Sequence, residues 1–361
     1  MNILILTGKF GMGHNAAALA IAQEITANNK DAAINIVDLP QYLFPNLSKY
    51  IYGLFNIIAE KCHSIYNLVN RFSEQAKVEI APPNKIFNKL QMLIDKEQPN
   101  LIISTLPLCS QFISAYKKKT NCNIPLATCI TDISAHKEWI SPNTEMYFVP
   151  TNDIKAELIK SGVGENLVFV TGIPVKLQFK NLNPRTNNIN KKNILIMGGG
   201  LGLLPDMDKL MTGLQSEENL HITVITGNNQ KAFNYLTAKY KDLEIVGFTD
   251  KVSEYMQKAD IIITKSGGIT MFEALHSKTP MVIIEPFLEQ ERQNALFIEE
   301  NHIGKVFWKL QKDTIGEIAQ LLNNKVEQKK MQNNMNDLAN SIAKYQISDV
   351  IDQYYLRKMA S

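Results

Sequence analysis

A histidine behind a glycine-rich turn is the first candidate for chemistry in this sequence. Gly11 and Gly13 precede His14, between an apolar run at residues 2–6 that predicts a buried strand and a helical pattern at residues 15–25. Such a turn at a helix N-terminus leaves backbone N–H groups free for an anion or a developing negative charge. We therefore interpret His14 as a candidate general base, with a helix cap or a packing residue as the alternative.

The same turn argues against two common nucleotide-binding loops. Gly8 and Gly13 have the spacing of a Walker A loop, but His14 and Asn15 replace the Lys and the Ser or Thr that hold phosphates and magnesium. The turn also lacks the GxGxxG order of a dinucleotide fingerprint. The sequence thus disfavours triphosphate hydrolysis and leaves a dinucleotide-dependent oxidoreductase as a weak alternative.

Two more glycine turns follow apolar strands in the second half of the chain. Gly199, Gly200 and Gly202 come after the run at residues 193–197, where backbone can approach a ligand with no Cβ in the way. The segment ITKSGGIT predicts another strand-to-helix junction, whose backbone N–H groups suit a diphosphate. The candidate diphosphate-binding residues there are Lys265, Ser266, Gly267, Gly268, Ile269 and Thr270.

Acidic and amide side chains beyond these turns could bind a nucleotide sugar. Glu273, about one turn into the next predicted helix, can accept both hydroxyls of a ribose, with a partner for the helix dipole as the alternative. The candidates for the hydroxyls of a sugar share one loop-to-helix entry, where a solvated helix start is the alternative: Glu289, Gln290, Gln293 and Asn294. Together these elements predict a nucleotide-sugar site.

Short apolar strands alternating with helical patterns must position these residues. The alternation predicts an α/β protein with parallel sheets, in two Rossmann-like domains that each begin with NILI and a glycine turn. We expect an N-terminal domain at residues 1–178, a polar linker at 179–193 and a C-terminal domain at 194–340. Residues 341–361 continue a helix predicted from residue 338, and this helix is expected to cross back onto the N-terminal domain.

Composition limits the class of protein. The chain has 361 residues, 45% of them apolar, and a net charge of only +3, which is too weak for a nucleic-acid binder but compatible with light attraction to an anionic surface. Its four cysteines lack metal-ligand spacing and are interpreted as reduced core residues. The sequence shows no basic leader and no run of about 18 apolar residues, which predicts a cytoplasmic protein.

The segment at residues 40–72 departs from the α/β pattern, because aromatic residues, among them Tyr52 and Phe55, alternate with Lys and Arg. Helices of this composition lie at membrane interfaces or line a groove for a lipid, and ordinary helical packing is an equal alternative. The first interpretation places the protein peripherally on the inner face of the cell membrane.

In order and spacing, six segments of the chain resemble the diacylglycerol glycosyltransferases. This family comprises monogalactosyldiacylglycerol synthases and bacterial processive glucosyltransferases, and is related to the peptidoglycan N-acetylglucosaminyltransferase. The matching segments, within residues 1 to about 304, are TGKFGMGHNAAALAI, ITDISAHKEWI, GIPVKLQF, IMGGGLG, VGFTDKVSEYMQKADIIITKSGGITMFEAL and PFLEQERQNALFIEE. The resemblance implies an α/β GT-B fold, with two Rossmann-like domains facing across a cleft, and an active site that requires no metal and no other cofactor.

The resemblance also implies roles for residues on the acceptor side. His14 matches the family's histidine in its N-terminal glycine loop, and Asp132 matches the aspartate of a TD…H…W motif. The loop reads Gly-Met-Gly where the family usually has consecutive glycines. The remaining residues of the predicted acceptor and lipid side are Gly11, Gly13, Tyr52, Phe55, His136 and Trp139.

On the donor side, the resemblance assigns Phe248 to the uracil, residues 266–270 to the diphosphate and Glu273 to the ribose. Gln290 matches the position that faces the sugar. The loop KSGGIT departs from the family's KAGPGT-like loop, which changes the backbone available to the diphosphate. Lys176 or Lys265 could stabilise the negative charge of the leaving diphosphate.

These assignments predict an inverting hexosyltransferase that moves glucose or galactose from a UDP-sugar to diacylglycerol or glycosyl-diacylglycerol, once or repeatedly. His14 or Asp132 would take the proton of the acceptor hydroxyl, or Asp132 would orient His14, and the sequence leaves all three open. Two other functions stay open as well. One is transfer of N-acetylglucosamine from its UDP form to a polyprenyl-linked cell-wall precursor, and the other is a non-catalytic UDP-sugar sensor.

Overall fold

The structure of the protein is a computed structural model. The described residues are 1–10, 12–48, 50, 52–53, 82–134, 136–182, 192–199, 207–214, 217, 219–342 and 344–360. Four predicted site residues lie outside them, namely Gly11, Phe55, Gly200 and Gly202, as do most of the aromatic segment and most of the predicted linker. The chain divides into two units, one made of Met1–Leu177 and Ile342–Ser361 and the other of Gln178–Ser341.

The first unit is built on a six-stranded parallel sheet in the order β2-β1-β3-β4-β5-β6. All six strands were predicted from short apolar runs, and the sheet confirms them. Their bounds are β1 Asn2–Thr7, β2 Ala33–Asp38, β3 Leu101–Ser104, β4 Leu126–Cys129, β5 Met146–Val149 and β6 Val168–Val170.

Helices cover both faces of this sheet. Successive side chains of a strand point to opposite faces, so Leu4 and Leu6 join one core and Ile3 and Ile5 the other. Burying one such side chain completely contributes about 1.5–3 kcal/mol. The helices are α1 Gly13–Asn28, α2 Leu39–Leu43, α3 Asn84–Glu97, α4 Pro107–Thr120 and α5 Asn152–Lys160, with α6 Leu177–Lys180 at the boundary of the units and 3₁₀ turns at Lys137–Trp139 and Glu165–Leu167.

The second unit repeats this plan with a six-stranded parallel sheet in the order β12-β11-β10-β7-β8-β9. The strands are β7 Lys192–Met197, β8 Leu220–Ile225, β9 Glu244–Val246, β10 Ile261–Thr264, β11 Met281–Ile284 and β12 Gly304–Phe307. The helices are α7 Met207–Leu214, α8 Gln230–Lys239, α9 Val252–Lys258, α10 Gly268–Ser277, α11 Glu289–Glu300, α12 Thr314–Asn323 and α13 Lys325–Ile342. Among the helices of the described residues, none combines the length and the apolar composition needed to cross a bilayer.

Strand β12 was not predicted from the sequence. It has only four residues, and Lys305 interrupts its apolar pattern. Gly304 allows the close approach that the pairing needs, because a Cβ at this position would lie 2.4 Å from the carbonyl oxygen of Met281 on β11. The strand therefore forms because the neighbouring strand is there, which a local pattern does not reveal.

The C-terminal segment was predicted as one helix from residue 338, and this was wrong. Helix α13 ends at Ile342, and a separate helix, α14, runs over Ile347–Ala360. The new start is fixed by the buried Glu24 of α1, whose Oε1 accepts the backbone N–H of Ile347 at 2.7 Å and of Ser348 at 3.3 Å. Such a bond satisfies N–H groups that a helix leaves unpaired at its N-terminus.

Helix α14 therefore depends on Glu24, and this can be tested. We expect Glu24→Ala to lower the free energy of unfolding by about 1–3 kcal/mol, because it removes the acceptor of the buried N–H groups of Ile347 and Ser348. Glu157→Ala, which removes an exposed carboxylate of α5, is the matched control and should change stability by less than about 0.5 kcal/mol. The measurement is urea unfolding of both variants, and equal midpoints for the two would contradict the role of Glu24.

Candidate active site

In the first unit, the candidate catalytic residues lie at the carboxyl edge of the sheet. Strands β1, β3 and β4 end there, and the segments that follow them carry His14, Thr105 and Asp132. Carboxyl ends of parallel strands are the usual ligand-binding edge of an α/β sheet. Gly8 starts the loop that leads to His14, and a Cβ on it would lie 2.9 Å from Leu106 Cδ2. A side chain at position 8 would therefore displace the Leu106 side chain.

The imidazole of His14 is held by groups from two other strand ends. Its Nδ1 lies 2.7 Å from the carbonyl oxygen of Thr105 and 3.0 Å from the hydroxyl oxygen of Thr131. A carbonyl oxygen only accepts hydrogen bonds, so Nδ1 carries the proton and donates it to Thr105. In the neutral ring this leaves the lone pair on Nε2, which is the form that a general base needs.

A network of threonines fixes the backbone around this ring. The Thr105 hydroxyl donates to the carbonyl oxygen of His14 at 3.0 Å and lies 2.9 Å from the hydroxyl of Thr7. Sequence reasoning missed Thr105 and Thr131. The signal was present, since Thr105 directly follows the buried strand β3 and Thr131 lies two residues after the buried strand β4, at the carboxyl edge of a predicted parallel sheet.

Burial is the main influence on the charge of His14. Desolvation of the ring lowers its pKa below the usual 6.5. The carboxylate of Asp132 and the hydrogen bond to Thr105 raise the pKa, but by less. The imidazole is therefore neutral at pH 7 and able to accept a proton.

Asp132 lies in a polar cluster of its own. Burial raises the pKa of its carboxyl group above the usual value. Two effects oppose this rise and lower the pKa, namely hydrogen bonds from Ser134 and Trp139 and the electrostatic interaction with the nearby His136 and His14. The Ser134 hydroxyl donates to Asp132 Oδ1 at 2.6 Å. The structure thus brings His14, Asp132, His136 and Trp139 together, with the buried Trp139 ring centroid 6.3 Å from that of His14.

The Asp132 carboxylate does not occupy the Nδ1 side of His14, because Thr105 and Thr131 are there. Its influence on His14 is electrostatic. Within the described residues, no group of three or more His, Cys, Asp or Glu side chains could hold a metal ion.

Tyr52 was predicted at the lipid side, and the structure gives it contacts inside the first unit. Its hydroxyl donates to Asp38 Oδ1, and its ring packs edge-on against Phe10 with 4.9 Å between the centroids. Among the described residues of this region, the large apolar side chains that are exposed are Leu47 and Tyr50, at 56% and 76%.

In the second unit, two predicted donor loops lie at the carboxyl edge of the other sheet. Gly199 follows β7 with a φ of +67°, a backbone conformation that favours glycine. Helix α10 begins after the neighbouring strand β10, and its N-cap Gly267 has no side chain to cap the first turn. The backbone N–H groups of the residues that open α10, Gly268, Ile269 and Thr270, are therefore available to an anion.

Two predicted donor residues turn out to be used internally. Asn294 was expected to face the sugar, but its side chain is 1% exposed and its amide nitrogen donates to the carbonyl oxygen of Ser266 at 2.7 Å. The Ser266 hydroxyl in turn donates to the carbonyl oxygen of Glu291 at 2.7 Å. The side chain of Asn294 thus binds the backbone of the predicted diphosphate loop and does not face solvent, which corrects its expected orientation.

The other predicted donor residues differ in their exposure. Phe248 is 66% exposed and offers a free aromatic face, as stacking on a base requires. Glu273, Glu289 and Gln290 are half-buried, and Glu289 accepts a hydrogen bond from Gln293 at 3.1 Å. Lys176 belongs to the first unit.

Known proteins resemble the chain over most of its length. A family model described as monogalactosyldiacylglycerol (MGDG) synthase matches residues 14–175, and one described as the glycosyltransferase family 28 C-terminal domain matches residues 193–354. A processive diacylglycerol beta-glucosyltransferase of Staphylococcus carnosus (strain TM300) is 31% identical over 342 residues, which cover 89% of this chain and 83% of the relative. An enzyme of that name from Staphylococcus aureus (strain MRSA252) is 33% identical over 326 residues, or 84% and 80% of the two chains.

A solved structure agrees with the architecture. The crystal structure of MurG from Acinetobacter baumannii matches 96% of this chain and 100% of its own, with a TM-score of 0.58 and 15% identity. At this identity the likeness concerns the fold. It confirms the predicted GT-B fold class, with its two Rossmann-like α/β domains.

Proposed function

Since this chain belongs to the family of diacylglycerol glycosyltransferases, we propose that it transfers a hexose from a UDP-hexose to the hydroxyl of diacylglycerol, with inversion to a β-glycoside. The observation that carries the proposal is the state of His14. A half-buried, neutral imidazole with its proton fixed on Nδ1 presents the lone pair of Nε2 at the carboxyl edge of the first sheet.

In the proposed reaction, His14 Nε2 takes the proton of the acceptor hydroxyl while the hydroxyl oxygen attacks the anomeric carbon. The bond from that carbon to the diphosphate oxygen breaks, and UDP leaves with the electron pair. Asp132 stabilises the imidazolium that forms, because its negative charge favours the protonated ring. Of the two candidate bases, we therefore assign His14.

On the donor side, the leaving diphosphate gains charge that must be stabilised. The first-turn N–H groups of α10 and the ammonium of Lys265 are the groups we assign to it. Phe248 would stack on the uracil, and Glu273 and Gln290 would bind ribose and sugar hydroxyls.

Glucose is the hexose we propose, and repeated transfer the mode. The support is the name of both Staphylococcus relatives, processive diacylglycerol beta-glucosyltransferase. Galactose, the sugar in the description of the N-terminal family model, is the second candidate.

The test is to incubate the purified protein with diacylglycerol liposomes and, in separate reactions, UDP-glucose, UDP-galactose or UDP-N-acetylglucosamine. The lipids are then analysed by mass. A gain of one or more hexoses from UDP-glucose alone supports the proposal, and the number of hexoses measures processivity. Transfer of N-acetylglucosamine in a parallel reaction with a polyprenyl-linked acceptor would instead favour the cell-wall transferase. Binding of a UDP-sugar without turnover would favour the sensor.

A lipid acceptor also requires access to a bilayer, and we assign peripheral membrane attachment to the exposed start of the aromatic segment. We expect the double variant Leu47→Ser, Tyr50→Ser to sediment with anionic liposomes at least about threefold less than the unmodified protein. The reason is that two exposed apolar side chains of the first unit, both in the aromatic segment, are removed.

The control for this experiment is Val326→Ser, which removes an 82% exposed apolar side chain from the second unit. It should leave sedimentation unchanged. UDP affinity should be the same in both variants. Sedimentation of the double variant equal to that of the control would refute the assigned membrane contact.

A further inference from the structure

Three contacts attach the loop of Lys265, Ser266 and Gly267 to helix α11. Asn294 and the backbone of Glu291 bind Ser266 from two sides, as described above. The side chain of Glu291 adds a third link, because its Oε1 lies 3.9 Å from the ammonium of Lys265. Helix α11 thus holds both the backbone and the lysine of this loop.

Glu291 also organises the turn before its own helix. Its Oε2 accepts the backbone N–H groups of Phe287 at 3.2 Å and Leu288 at 3.3 Å. The two oxygens of one carboxylate therefore link the turn that enters α11 to the lysine that precedes α10. Its side chain is 10% exposed and that of Lys265 is 23% exposed, so the attraction between them is screened less than it would be in water.

We propose that Glu291 is a positioning residue for the donor diphosphate. It acts by holding Lys265 in the loop that precedes helix α10. The inference rests on the proposed function, since it takes that loop as the diphosphate site. The carboxylate oxygens of Glu291 are used for contacts inside the protein, with two backbone N–H groups and one ammonium. A contact with the sugar hydroxyls is the competing role, and the two roles differ in the ligand they affect.

The experiment is titration calorimetry of UDP alone, compared with UDP-glucose. We expect Glu291→Ala to weaken the binding of UDP itself about tenfold, because Lys265 and the loop lose their anchor. Glu291→Gln keeps an acceptor for the N–H groups of Phe287 and Leu288 but loses the charge, so it should recover part of the affinity. Glu300→Ala, at the exposed end of the same helix, is the matched control and should bind UDP normally.

Lys265→Met provides a second measurement that does not depend on the stability of Glu291→Ala. It should weaken UDP binding, and adding Glu291→Gln to it should cause little further loss, since both changes break the same contact. In steady-state kinetics, Glu291→Gln should raise KM for the donor more than it lowers kcat.

Normal UDP binding by Glu291→Ala would overturn the inference alone, and weakened binding of UDP-glucose in the same variant would make Glu291 a sugar contact. Additive losses in the double variant would also overturn the inference alone. Failure of the unmodified protein to bind UDP would overturn the proposed function and this inference together.

Discussion

His14→Ala should lower kcat by about 10²–10⁴-fold, the usual contribution of a positioned general base. UDP affinity should stay within about twofold of the unmodified value, because the residues we assign to the nucleotide belong to the second unit. The measurement combines hexose transfer to diacylglycerol liposomes with UDP titration. A large loss of turnover at constant UDP affinity would also separate an enzyme from a UDP-sugar sensor, which should keep its response after the substitution.

A suitable control is His221→Ala, because His221 is a partly exposed histidine of the second unit that pairs with Glu244 at 3.0 Å. It should retain near-normal turnover. If His14→Ala transferred hexose as fast as His221→Ala, the assignment of the base would be wrong, and Asp132 would be the remaining candidate.

Asp132→Asn should lower kcat by about 10–100-fold and move the acidic limb of the kcat/KM profile to lower pH. Turnover falls on the acidic side as His14 gains a proton. The negative charge of Asp132 raises the pKa of His14, so the neutral Asn lowers it, and a lower pH is then needed to protonate the ring. The weaker base and the loss of a counter-charge for the imidazolium reduce the rate.

The pH profile distinguishes the two candidate bases. If Asp132 were the base, Asp132→Asn would abolish the acidic limb and lose as much activity as His14→Ala. Asp153→Asn, on an exposed position of α5, should leave both the rate and the profile unchanged. An acidic limb that moved to higher pH in Asp132→Asn would contradict the electrostatic role assigned here.

Local patterns in the sequence were enough to predict most of the fold. Apolar runs such as those at residues 2–6 and 193–197 predict strands because period and length are properties of the run itself. The glycine turns that follow them predict the edge where a ligand binds, since parallel strands share their carboxyl ends. The resemblance to a family added the expected roles, and the family matches support its identification.

Tertiary contacts decided which atoms of the predicted site residues are free to bind a ligand or a proton, and which are used inside the protein. The proton of His14 is fixed on Nδ1 by Thr105, 91 positions away, and helix α14 begins where Glu24 binds the N–H of Ile347, 323 positions away. Asn294 lies in the predicted segment but binds Ser266 instead of solvent. A hydrogen bond depends on distances between atoms of about 3 Å, and only the packed chain sets those distances for residues far apart in sequence.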